Sequence, residues 1–240
     1  MIDGKRVLAV VPARGGSKGI HLKNLRLIGG RPLVALAADV ARAVPAIDRR
    51  VVSTDHPEIA KAAVEAGLDA PFMRPEALSG DRISDYDVLL HALTMTEAAD
   101  GCQYDVVVML QPTSPLRTAG DVTATIQMLI DGDWDSVWTV SATDLKVHPL
   151  KQLKLSSEGK LDYYDERGRD IIARQQLTPL YHRNGVAYAM TRSCLLDQKA
   201  IMGSRAGALV IEGEHVSIDT EAELILVENL LKERSSGSKA

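Results

Sequence analysis

The chain has 240 residues, longer than a single core of roughly 100 to 150 residues but within reach of one large α/β domain. Hydrophobic residues make up 45% and charged residues 25%, a balance that disfavours both disorder and membrane burial. With 4% aromatics and a net charge of -4, the chain is a poor candidate for a nucleic-acid reader built on stacked rings, and any anion site must come from a local cluster of cations.

Two cysteines, Cys102 and Cys194, are too few for a disulfide framework or a four-thiolate zinc site, which points to a reducing compartment. No apolar run nears the roughly 18 residues of a membrane span. A cytoplasmic protein without membrane or nucleic-acid partners is the expectation.

Val7 to Val11 is a continuous apolar run between charge and Pro12, as in a strand buried on both faces. Pro32 then stands in the first turn of a helix whose Leu33, Leu36, Ala37, Val40 and Val44 share one face. The alternation continues with a strand at Arg50 to Ser53, a helix from Pro57 to Ala66 ended by Gly67, and a short strand at Ala70 to Met73. A helix near Asp85 to Ala99, a strand Val106 to Leu110, a helix near Ala119 to Ile130 and a strand Ser136 to Val140 follow. This rhythm predicts an α/β fold with a mostly parallel central sheet and helices on both faces.

Residues 141–180 break the rhythm. Gln152 to Leu155 and Leu161 to Tyr164 flank the turn-like Ser156, Ser157, Glu158 and Gly159, which predicts an inserted hairpin. Strands are then expected at Val186 to Met190 and Ala208 to Ile211. A closing helix spans Thr220 to Lys232, opened by a Thr220 and Glu223 capping box and striped by Leu224, Val227, Leu230 and Leu231. Residues 235–240 read as a flexible tail, and the chain contains no internal repeat.

Between Asp3 and Asp39 there is no acidic residue, while Lys5, Arg6, Arg14, Lys18, Lys23, Arg26 and Arg31 supply seven cations. The centre of this stretch, Pro12-Ala-Arg-Gly-Gly-Ser-Lys-Gly-Ile20, directly follows the first strand, where open parallel sheets bind ligands. Its glycines let backbone approach a ligand, and Arg14 and Lys18 can neutralise phosphate oxygens. It is neither a P-loop nor a dinucleotide loop, so a nicotinamide-dependent oxidoreductase is disfavoured. Gln111 follows the strand Val106 to Leu110 and is stiffened by Pro112 and Pro115, which suits a polar contact at the sheet's carboxyl edge.

PARGGSKGIHLKNL followed by RPL resembles the opening signature of the CMP-sialic acid synthetases, the acylneuraminate cytidylyltransferases. The resemblance continues through Ser53-Thr54-Asp55, Arg74-Pro75 with Leu78 and Asp81, Leu110-Gln-Pro-Thr-Ser-Pro-Leu-Arg117, His148-Pro-Leu-Lys151, Arg174-Gln-Gln-Leu177, Arg183-Asn-Gly185 and Ile218-Asp219-Thr220. It covers nearly the whole chain in order.

The resemblance implies a nucleotide-diphospho-sugar transferase-like, Rossmann-related domain covering residues 1–240. It also implies transfer of CMP from CTP to the anomeric hydroxyl of an acidic nine-carbon 2-keto sugar, with Mg²⁺ and release of pyrophosphate. Arg14, Lys18 and Lys23 would hold the triphosphate, Asn24 would touch the nucleotide, and Gly16 and Ser17 would line the loop. Arg74 matches a nucleotide-contacting arginine, and Asp81 belongs to the same site. The stretch Asp81-Arg82-Ile83-Ser84-Asp85 departs from the small, hydroxyl-rich residues common there.

Gln111, Lys151, Arg174 and Arg183 would bind the sugar, Lys151 and Arg174 holding its carboxylate with Arg183 a neighbour, and the 141–180 insertion would help build the sugar site of a homodimer. His148 reads as a packed or capping residue. Tyr163, Tyr164 and Tyr181 suit either stacking on a sugar or burial at a subunit contact.

The family usually carries Asp-Ile-Asp-Thr where this chain reads Ser217-Ile218-Asp219-Thr220, which leaves Asp219 as the one ionic metal ligand. The competing readings are a catalytically weak or silent nucleotide-binding member of the fold and a cytidylyltransferase for the more distant eight-carbon 3-deoxy-manno-octulosonate. The nine-carbon candidates include neuraminate, legionaminate and pseudaminate.

Overall fold

The structure, a computed structural model, describes residues 1–237. β1 (Val7–Pro12) leads through a short hairpin of β2 (Leu27–Ile28) and β3 (Arg31–Pro32) into α1 (Leu33–Ala43). Then come β4 (Arg49–Ser53), α2 (Pro57–Glu65), α3 (Asp85–Asp100), β5 (Val106–Met109), α4 (Ala119–Asp131) and β6 (Ser136–Ala142). The insertion carries β7 (Leu153–Leu155) and β8 (Leu161–Tyr163), paired antiparallel with each other and outside the main sheet. β9 (Tyr181–Thr191), α5 (Arg192–Leu196), β10 (Ala206–Val210) and α6 (Glu221–Gly237) complete the chain.

The six-stranded sheet runs β10-β6-β9-β5-β1-β4. β1 is buried on both sides, and its side chains alternate between two cores as strand geometry requires. Val7, Ala9 and Val11 face α1, α2 and α4, while Leu8 and Val10 face α3 and α5. The expected layering, with helices on both faces, is present.

Three local expectations are corrected. Ala70 to Met73 is not a strand: the chain touches the sheet edge only through a bridge from Val51 to Asp69, and Pro71 offers no N–H to continue it. Pro32 precedes α1 as its N-cap rather than standing inside the first turn. β9 is longer than expected and runs antiparallel to both β5 and β6. The insertion carries the chain out past β6, and the strand that returns from it descends beside β6. The register slips between Trp138 and Val140, opposite Gly185, whose φ of 70° is accessible to glycine with little strain.

The capping box is formed: Thr220 N donates to Glu223 Oε2 at 2.7 Å and Glu223 N donates to Thr220 Oγ1 at 3.3 Å. α6 continues to Gly237, into the stretch expected as a tail, and residues 238–240 lie outside the described residues. Among the described residues no helix is long and apolar enough to cross a membrane.

Candidate active site

The chain leaves β1 for β4 on one side and places β5 on the other, so the strand order reverses beside β1. In open α/β sheets such a reversal opens a crevice at the carboxyl ends of the strands. A cavity of about 570 Å³ lies there, between the loop after β1, the turn after β5, the start of α3 and the segment before α6.

The basic loop forms one wall. Lys18 Nζ stands 2.7 Å from Asp81 Oδ2, Arg14 Nη2 stands 3.1 Å from Asp81 Oδ1, and Arg14 Nη1 donates to the Gly80 carbonyl at 3.0 Å. These contacts, the hydrogen bond from Lys18 first, hold the Asp81 carboxyl below the usual carboxylate range. Asp81 therefore sits on the two cations expected to take phosphate. Ser17 lines the cavity, whereas Gly16 borders open space, since a β-carbon added there would meet nothing within 4 Å. The loop is braced by two hydrogen bonds: Asn24, which is buried and lines the cavity, donates from Nδ2 to the Arg14 carbonyl at 2.9 Å, and Gly15 N donates to Asp55 Oδ1 at 2.9 Å.

Opposite, Ile218 is wholly buried in a small cluster with Ile20, Ile28, Leu33, Leu116, Leu224 and Val227. Its neighbours Ser217 and Asp219 both line the cavity. Lys23 Nζ, with its side chain mostly buried, donates to Asp219 Oδ1 and to the Ile218 carbonyl, each at 2.7 Å. The Asp219 side chain is 72% exposed, so Lys23 leaves much of its carboxylate accessible.

Among the described residues no group of three or more His, Cys, Asp or Glu could hold an ion by itself. An exposed carboxylate with a serine lining the same cavity suits a hard cation that brings most of its ligands with it, as a magnesium triphosphate does.

Arg74 is buried, not a surface residue. Its Nη2 donates to the Ser53 carbonyl, its backbone N donates to the Thr54 carbonyl at 2.8 Å, and its Nε has no partner among the described residues. Burial lowers its pKa, and nearby Arg14 adds to that effect while Asp55 and Asp85 oppose it.

Asp85, which the sequence reading did not single out, lines the cavity on the first turn of α3, one turn from Val88. Burial pushes its carboxyl up, against the pull of Arg183 and Arg74. The available signal was its place in a stretch that departs from the family pattern.

Gln111 lines the cavity from the β5 side. Lys151, Arg174 and Arg183 do not line it: the first two are exposed on short turns of the insertion, and Arg183 lies over the Trp138 ring at 5.6 Å. Within one chain the phosphate-type cations and Gln111 come together, and the insertion cations stay apart. His148 is buried and caps its own turn, accepting from Leu150 N at Nδ1 over 3.2 Å. Tyr163 lies under Arg169 at 5.4 Å, and Tyr164 and Tyr181 are exposed.

A family model described as Cytidylyltransferase matches residues 8–235. The CMP-N,N'-diacetyllegionaminic acid synthase of Legionella pneumophila is 32% identical over 230 residues, covering 95% of this chain and 97% of that protein. An N-acylneuraminate cytidylyltransferase of Streptococcus agalactiae is 32% identical over 224 residues, covering 92% of this chain and 52% of that protein, so the chain spans about half its length. The solved structure of a CMP:2-keto-3-deoxy-manno-octonic acid synthetase complexed with CTP superposes with a TM-score of 0.68 at 21% identity, covering 95% of this chain and 99% of that one.

Proposed function

As the chain belongs to the cytidylyltransferase family, we propose that it is a CTP:nonulosonate cytidylyltransferase, transferring CMP from CTP to the anomeric hydroxyl of a nine-carbon 2-keto-3-deoxy acid sugar. The observation that carries this reading is the convergence of Arg14, Lys18, Lys23, Asp219 and Gln111 on one cavity. In the reaction the anomeric hydroxyl gives up its proton to solvent as its oxygen bonds to the α-phosphorus, the bond from that phosphorus to the oxygen bridging to the β-phosphate breaks, and pyrophosphate departs with the electron pair. Charge grows on phosphate oxygens, so the protein's task is positioning and electrostatic stabilisation.

Arg14 and Lys18 take the β- and γ-phosphates, exchanging Asp81 for them, and Lys23 stands at the Asp219 side of the same groups. Asn24 touches the nucleotide as well as holding the loop, Gly16 serves the loop's shape, Ser17 borders the phosphates, and Arg74 lies on the nucleotide side. Asp219, with Ser217 beside it, would hold Mg²⁺, which when bound offsets phosphate charge.

Gln111 orients the sugar, and Arg183, which lies outside the lining but acts electrostatically on Asp85, stands near it. Lys151 and Arg174 reach the sugar carboxylate from a second copy of the chain. Their exposure on the insertion, outside their own chain's cavity, supports a homodimer whose sites are completed across the interface.

The test is a substrate panel. CTP and Mg²⁺ are incubated with N-acetylneuraminate, N,N'-diacetyllegionaminate, pseudaminate and 3-deoxy-manno-octulosonate, and products are identified by mass. A CMP-linked nine-carbon sugar is expected. Product from the eight-carbon acid alone, or from none, would reject the reading.

A further inference from the structure

Arg117 is a cation that the proposed chemistry leaves unused, at the end of the turn that carries Gln111. It is buried, and its Nε and Nη1 have no partner among the described residues. Burial pushes the guanidinium well below its ordinary value. A buried charge without a carboxylate is costly, so its retention calls for a specific task.

The one nitrogen it does use, Nη2, donates to two backbone carbonyls: that of Gln111, and that of Gly185 in β9 at 3.0 Å. The two segments are laced together elsewhere as well. Ser114 Oγ donates to the Asn184 carbonyl at 2.9 Å, while within β9 the bend is held by Gly185 N donating to the Tyr188 hydroxyl at 2.8 Å. The Gln111 side chain rests on the Gly185 α-carbon: a β-carbon at Gly185 would lie 2.7 Å from Gln111 Oε1 and 2.5 Å from Ser114 Oγ.

We propose that Arg117 is a positioning residue, whose guanidinium clamps the Gln111 turn onto the Gly185 bend of β9 and so fixes where the Gln111 amide meets the sugar. This rests on the reading of Gln111 as a sugar contact. The clamp acts on the turn's backbone, so its loss shows in use of the sugar and leaves the triphosphate wall on the far side of the cavity unaffected. A lysine at 117 keeps the charge but lacks the planar fork, and its single ammonium lies at a different reach from the two carbonyls.

The experiment is a double-mutant cycle on steady-state kinetics, varying the sugar at saturating CTP and then CTP at saturating sugar. Gln111→Ala, Arg117→Lys, and the pair combined are measured, with circular dichroism as a check on folding. Gly185→Ala serves as a second, independent disturbance of the Gln111 amide.

Expected are a rise in the KM for the sugar of about tenfold for each single change, a KM for CTP within about twofold of wild type, and a double variant no worse than Gln111→Ala alone. An Arg117→Lys effect that persists undiminished in the Gln111→Ala background overturns the clamp alone. Equal losses for CTP and sugar in Arg117→Lys and Gly185→Ala also overturn it. Wild-type sugar kinetics in Gln111→Ala overturn the sugar-contact reading itself, and the proposal with it.

Discussion

Gly19 and Asp219 meet backbone to backbone: a β-carbon on Gly19 would lie 2.2 Å from the Asp219 carbonyl oxygen. The third glycine of the basic loop is therefore required by how closely the loop approaches the segment before α6. That contact keeps the loop cations and the Asp219 carboxylate on facing walls of one cavity.

Gly19→Ala should accordingly separate these walls. Overpacking of this kind costs about 1 to 3 kcal/mol, and the displaced groups are those proposed to hold triphosphate and metal. The expected result is a fall in kcat/KM for CTP larger than the fall in stability would explain, read from kinetics beside thermal unfolding. An active Gly19→Ala enzyme would show that the approach is not needed.

Asp81 pairs with Arg14 and Lys18, the two cations proposed to take the triphosphate, so on that proposal it competes with CTP for them. Asp81→Asn should tighten CTP binding about two- to fivefold, in keeping with the modest strength of exposed ion pairs. Calorimetric titration measures this directly. Weaker binding would mean that Asp81 helps to hold the nucleotide instead of standing in its way.

The framework was legible because β1 and β5 are unbroken apolar runs and because each long helix carries a readable stripe or cap. The direction of β9 was not legible: Val186 to Met190 reads the same whichever way it runs, and only the path of the insertion decides it. The strand expected at Ala70 to Met73 failed because apolar composition does not supply a partner, and Pro71 withholds a donor.

In the site, Arg14, Lys18 and Lys23 stood out through an acid-free stretch. Asp85 and Arg117 did not, since their roles come from burial and from neighbours distant in sequence.

Burial raises the Asp85 carboxyl, so the folded protein binds more protons there than the unfolded chain. Its contribution to stability therefore declines as pH rises from the unfolded carboxylate value through the raised native one. Asp85→Asn removes this loss. Its urea midpoint should exceed that of wild type at neutral pH, and the gap should close below about pH 4, where the native carboxyl is protonated. A variant less stable than wild type at neutral pH would contradict the assignment of burial as the dominant cause.

Lys151 and Arg174 stand outside the cavity of their own chain, which makes subunit complementation informative. On the proposed shared site, Lys151→Ala and Lys18→Ala should each lose most activity when alone. Mixed and reassembled, they should regain about a quarter of wild-type activity, because half of randomly formed dimers contain one site with both lysines. No recovery from a verified mixed dimer would place the sugar cations elsewhere.

The central claim is that the basic loop holds the triphosphate of CTP, and pyrophosphate release by Arg14→Ala and Lys18→Ala tests it most directly. Each substitution removes a charge-assisted contact worth about 1.5 to 3 kcal/mol when formed in the transition state, less where solvent screens it. A loss of about tenfold or more in kcat/KM for CTP, with unfolding temperatures close to wild type, is the predicted result. Wild-type kcat/KM in both variants would contradict it.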